Sequence, residues 1–162
     1  MKITEAKQMR DGLYKAIFAS LFVKQMLTCD QEKCAFWCLD LNNKLCYDKQ
    51  SILSSIDENG SFSEEVKDCI CSCLDFYIQN VDKFNTLIQK HLKNDFTIDK
   101  LAKCDLAILY TAMTELFCNK ELDLKIIVSE AVELAKKYSS ENAFKFINGI
   151  LRNIVKELNK NE

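Results

Sequence analysis

Proline is absent from this 162-residue chain, and glycine occurs only at positions 12, 60 and 149. Strand-rich folds turn often and draw their turns from these two residues, so their scarcity argues for a few long helices. Histidine is nearly missing too, with His91 alone. That leaves no His-based nucleophile–base pair beyond one position and no His-rich metal cluster. No apolar run approaches the roughly 18 residues that span a bilayer. The opening MKITEAKQMRDG mixes acids with bases and lacks the apolar stretch of a secretory signal, so a cytoplasmic location is expected. GxSxG, glycine-rich phosphate loops and paired-carboxylate constellations are also lacking. No catalytic centre is expected, and no cofactor.

Cysteine, by contrast, is plentiful: Cys29, Cys34, Cys38, Cys46, Cys69, Cys71, Cys73, Cys104 and Cys118. No two form a CxxC pair. Cys69, Cys71 and Cys73 fall two apart on a helical pattern, which spreads their sulfurs around the axis. Cys34 and Cys38 could share a ligand, but two thiolates do not complete a zinc site. In a reducing compartment these residues read best as small buried hydrophobes, with a metal or redox role as the alternative.

What is present is ordinary for a globular domain: 48% apolar and 28% charged residues, rich in Lys, Leu, Ala and Glu. Apolar spacing predicts a first helix over about Thr4–Leu27 with Thr4 as a cap. A long helix is expected after Ser61 or Ser63, carrying Val66, Ile70, Cys73, Leu74, Tyr77, Ile78, Val81, Phe84 and Ile88. FTIDKLAKCDLAILYTAMTELFC predicts a helix broken near Asp99. Asp123 caps another that ends at Tyr138, and the last buries Phe144, Ile147, Leu151, Ile154 and Leu158. Residues 28–60 are the least regular, with LNNK and DENG as turns. One all-α domain over residues 1–162, a compact bundle of about six to seven helices, is expected.

The net charge of −2 is unevenly distributed. Residues 1–25 carry Lys2, Lys7, Arg10, Lys15 and Lys24 against two acids, a net +3; residues 136–160 carry six bases against two acids, a net +4. The remainder is −9. Two basic ends packed together would put a cationic face on an acidic body, suited to an RNA backbone on one side and a basic protein on the other. Within the first helix Lys7, Arg10, Tyr14 and Phe18 lie at i, i+3, i+7 and i+11 on one stripe. Bases followed by aromatics can hold phosphates and stack bases, although aromatics at this spacing are more commonly core.

The blocks EAVELAK and KFINGIL resemble the C-terminal signature of the bacterial antitermination family NusB. CDLAILYTAMTEL is similar to the preceding helix, SENAFKFINGIL to the opening of the last, and MRDGLYKAIFASLF more weakly to the first. The likeness covers residues 97–158 and 7–23; residues 28–62 carry no such match. It implies an all-helical, non-catalytic protein that binds boxA-type single-stranded RNA together with the ribosomal protein NusE and joins the antitermination complex on RNA polymerase during rRNA transcription. Such proteins occur as monomers or homodimers. By position, Lys7, Arg10 and Phe18 match the RNA-binding stripe of the first helix, with Lys2 and Tyr14 as further RNA-binding candidates, and Lys145 and Phe146 match a basic–aromatic pair beside NGIL. Asp105, Glu115, Glu130 and Glu133 stand where a NusE-like partner would be met. Asn148 and Gly149 read as a small pair that lets the last helix approach a neighbour closely.

The chain departs from the family where its arginine run thins to AKQMR, where Tyr110 and Thr114 replace Arg and Tyr, and where Asn142 replaces an acid. The alternative that follows is a NusB-like protein-interaction module with little or no intrinsic RNA binding. The same fold opens certain rRNA cytosine methyltransferases, but no cofactor loop accompanies it here.

Overall fold

Without proline to break them, the helical stretches run long. The computed structural model describes residues 1–22, 37–39, 45–93, 96–119 and 121–159. They form helices α1 (Ile3–Ser20), α2 (Lys49–Ile56), α3 (Glu64–His91), α4 (Lys103–Cys118), α5 (Leu124–Tyr138) and α6 (Ala143–Leu158). Strands β1 (Trp37–Leu39) and β2 (Leu45–Tyr47) make one small antiparallel hairpin, with Cys38 opposite Cys46. The all-α class holds, with this hairpin as its one departure among the described residues. The expected end of the first helix, residues 23–27, lies outside them, as do Cys29 and Cys34.

The chain forms two compact units, Met1–Ile78 and Gln79–Glu162, and α3 begins in the first and ends in the second. In the first unit α1 starts at Ile3, one residue before the expected Thr4 cap, because Glu5 accepts a hydrogen bond from the Lys2 amide at 2.8 Å. Leu13, Ala16 and Ile17 of α1 are fully buried, as are Ile52 of α2 and Val66, Ile70 and Leu74 of α3. Gly12 is where contact is closest: a Cβ there would meet Ile70 Cδ1 at 2.8 Å and Phe62 Cε2 at 3.0 Å. The hairpin is tied down by its aromatics. Trp37 Nε1 donates to the Ala16 carbonyl at 3.0 Å, and the Tyr47 hydroxyl donates to Cys71 O at 3.1 Å and Asp75 Oδ1 at 2.8 Å. Burial and the Asp75 carboxylate both raise the Tyr47 hydroxyl above its ordinary range and keep it a donor.

Turn chemistry agrees with the residues. Gly60 takes φ +59°, and the Asp57 carboxylate accepts from the amides of Ser61 and Phe62. The Ser63 hydroxyl then accepts from Val66 N at 3.3 Å, capping α3.

In the second unit every residue of α4 from Leu106 to Leu116 is buried, the signature of a central helix. α4 packs on α5 and α6, which also pack on each other across a connection of four residues, Ser139–Asn142. The break expected near Asp99 is a single 3-10 turn, Ile98–Lys100, and the Asp123 carboxylate caps α5 by accepting from Lys125 N at 2.8 Å. Gly149 corrects the sequence reading: a Cβ there would meet nothing within 4 Å, so no close helix approach requires it. No helix of the described residues is long and apolar enough to cross a membrane.

Candidate nucleic-acid interface

The α1 stripe divides along its axis. Lys2 and Lys7 are exposed near the helix start, whereas most residues from Met9 to Ile17 are buried, Asp11 and Lys15 excepted. Arg10 is 6% exposed and Tyr14 4%, so the expectation that both present themselves to RNA is corrected. Sharing a stripe did not make them share an environment, because packing covers the middle of the helix and leaves its first turns in solvent. Phe18 is half-buried, stacked on Tyr14 with centroids 5.8 Å apart and edge-on to Phe22 at 5.1 Å. Lys15 is engaged by Asp11 at 3.5 Å.

Lys145 and Phe146 come out differently. They line an open cleft of about 530 Å³ that also takes in Lys93 and Phe96 from beyond the end of α3, with Gly149 and Ile150 of α6. Phe96 is 44% exposed, one of the few large apolar side chains left in solvent. Two aromatic rings flanked by two lysines at one concavity are the elements that stack bases and hold phosphates. Sequence reasoning missed Lys93 and Phe96. The signal was an aromatic in a short polar connection carrying a base, HLKNDF, outside any helical stripe.

One wall of this cleft is held by ions. Glu157 of α6 accepts from Lys90 Nζ at 2.5 Å and meets His91 Nε2 at 2.9 Å. The Lys90 hydrogen bond first, and His91 with it, hold the Glu157 carboxyl below its ordinary value. A depressed folded-state value means the pair contributes above the unfolded carboxyl value and is lost as pH falls through the folded one. Glu157→Gln is therefore expected to lower the melting temperature slightly at neutral pH, with the difference shrinking as pH falls through and below the ordinary carboxyl range. Melting curves across a pH series check this, and a difference that stayed constant from neutral to acid pH would refute it.

The acids expected to meet a protein partner also separate. Glu133 is exposed and pairs with Lys136 at 2.7 Å, and Glu130 is half-buried. Asp105 is half-buried and accepts from the Ser139 hydroxyl. Glu115 is 5% exposed and not available to a partner, because the all-round burial of α4 encloses it. Tyr110, at the place of a family arginine, is buried and donates to Asn85. Among the described residues no three His, Cys, Asp or Glu side chains converge as a metal ion would need. Cys71 and Cys73 are buried, and burial pushes the Cys71 thiol up, toward the inert form.

Comparison with known proteins places this geometry. The NusB family model matches residues 34–156. The transcription antitermination protein NusB of Enterococcus faecalis is 33% identical over 118 residues, 70% of this chain and 71% of that protein. That of Clostridium kluyveri is 42% identical over 79 residues, 49% of this chain and only half of its own length. Among solved structures, T. maritima NusB matches with a TM-score of 0.71 at 27% identity, covering 97% of this chain and 94% of that one. A chain from the structure of antitermination factors NusB and NusE in complex with dsRNA matches with a TM-score of 0.69 at 20% identity, covering 96% and 99%, a likeness of fold alone. The family match includes most of residues 28–62, where the sequence suggested none, and leaves out the first helix, where it suggested a weak one.

Proposed function

The chain belongs to the NusB family, and from that premise we propose that it is a non-catalytic, cytoplasmic transcription antitermination factor. It binds boxA-type single-stranded RNA together with ribosomal protein NusE. The observation that carries this reading is the family match over residues 34–156, which includes the cleft of Lys93, Phe96, Lys145 and Phe146. In the cleft, Phe96 and Phe146 stack unpaired bases while Lys93 and Lys145 neutralise phosphates. Lys2 and Lys7 of α1, with half-buried Phe18, provide further RNA contacts. Asp105, Glu130 and Glu133 of the second unit offer the acidic side chains that a basic ribosomal protein meets.

The test is fluorescence anisotropy with a boxA-like single strand and a scrambled one, each with and without NusE, over a salt series. Four lysine–phosphate contacts predict a slope of log affinity against log salt of about −3 for a single strand. Selective binding that NusE tightens is the expected result. Equal weak binding to both strands in every condition would instead favour the protein-interaction module, which the thinned basic run AKQMR supports.

The two bases of that run should separate. Lys7→Ala is expected to reduce the salt slope by about 0.7 and leave thermal stability unchanged. Arg10→Ala is expected to destabilise by about 1–3 kcal/mol, since it removes a buried guanidinium and the contacts built around it. Chemical denaturation of both variants checks this; an Arg10→Ala variant as stable as the parent would overturn the interior assignment.

A further inference from the structure

The face formed by α5 and α6 carries a second groove, of about 650 Å³, that the reading above does not use. Its floor is aliphatic: Leu124, Val128 and Val132 of α5 fall at i, i+4 and i+8, with Val155 of α6 across from them. Its rim is cationic, with Lys125, Arg152 and Lys156 all exposed. Among the described residues no carboxylate pairs with any of these three side chains, and no acid lines the groove. Asn148 and Ser129 are its remaining polar groups.

Chemistry narrows the occupant. An apolar floor left in solvent inside a ring of unpaired cations is complementary to a surface that is itself aliphatic and negatively charged. Nucleic acid meets only half of that description: phosphates suit the rim, but no aromatic ring lines the groove, so unpaired bases have no platform to stack on. The first cleft, with Phe96 and Phe146, differs on this point. A basic protein is repelled by the rim, which separates this groove from the acidic positions proposed for NusE. Eight residues of α5 measure about 12 Å along the axis, or a little over two turns. A third helix lying between α5 and α6 would present aliphatic side chains at i, i+4 and i+7 over that length, with acids on its flanks reaching the rim.

We propose that the α5/α6 groove docks an acidic amphipathic helix of a second protein partner, distinct from the basic one. The groove takes the helix's aliphatic stripe, and Lys125, Arg152 and Lys156 pair with its flanking carboxylates.

The test uses the full chain and a labelled helical peptide of roughly 18 residues, with Leu at i, i+4, i+7 and i+11 and Glu on both flanks. A matched peptide with Lys for every Glu and a labelled oligo-U strand of about the same length serve as comparisons. Saturable binding of the acidic peptide alone is expected, weakened about tenfold or more by Arg152→Glu with Lys156→Glu, and weakened likewise by Ser129→Trp, which obstructs the groove without altering the rim charge. All three positions are exposed, and melting curves establish that the variants fold. Equal binding of the two peptides, or full affinity in the folded variants, would overturn the proposal. Oligo-U binding abolished by the same substitutions would assign the groove to RNA. Dimerisation seen by ultracentrifugation and lost with them would assign it to a second copy of the chain. Either result would overturn the helix-docking assignment and leaves the boxA test above untouched.

Discussion

Trp37→Ala is expected to lower the unfolding free energy by about 3–5 kcal/mol, the largest loss from a single substitution in the first unit. The indole is 2% exposed, donates through Nε1 to the Ala16 carbonyl at 3.0 Å, and lies 5.3 Å from the Tyr47 ring. Truncation removes a large buried apolar area and leaves a cavity beside α1. It also removes the indole's hydrogen bond from β1 to α1. Trp37→Phe isolates the polar part: most of the apolar area survives, and the loss should fall to about 1–2 kcal/mol. Urea denaturation of both variants measures this, with an unchanged m-value confirming that stability and not compactness has moved. A loss under 1 kcal/mol for the alanine variant would mean that the hairpin is not anchored as described.

Removing both rings of the first cleft is expected to weaken boxA RNA binding on the order of 100-fold. Base–aromatic stacking contributes about 1–3 kcal/mol per base, and two platforms are lost. Phe96 is 44% exposed, so Phe96→Ala should leave folding intact. Phe146 is half-buried, so Phe146→Leu is the better partner because it keeps aliphatic bulk and removes only the π face. Because neither change alters charge, the salt slope should stay near its parental value while affinity falls. Anisotropy over the same salt series separates the two quantities. Full affinity in a folded Phe96→Ala, Phe146→Leu variant would exclude the cleft as the base platform.

The α1 stripe and the cleft show how differently two sites can be legible. EAVELAK and KFINGIL carry the family on their own, and Lys145 and Phe146 are identified as a pair from two adjacent letters. Lys93 and Phe96 join them only in three dimensions, some fifty residues earlier in the chain, and no periodicity marks them. Along α1 the opposite happens: spacing groups Lys7, Arg10, Tyr14 and Phe18 correctly on one stripe, yet periodicity describes angle around an axis and is silent about how far along that axis packing extends. Glu115 is the same case in α4, where a helix buried on every side encloses an acid that pattern would leave on the surface.

The sequence by itself determined the helical class, a cap at Ser61 or Ser63 and another at Asp123, the turn at Gly60 and the break near Asp99, because each depends on interactions among residues a few positions apart. The hairpin held by Trp37 and Tyr47, the interior places of Arg10, Tyr14 and Glu115, the open surroundings of Gly149 and the two grooves were decided only by tertiary structure. Each depends on which distant surfaces meet. A stripe of side chains specifies that a face will be covered, and only the packed chain specifies where the cover stops.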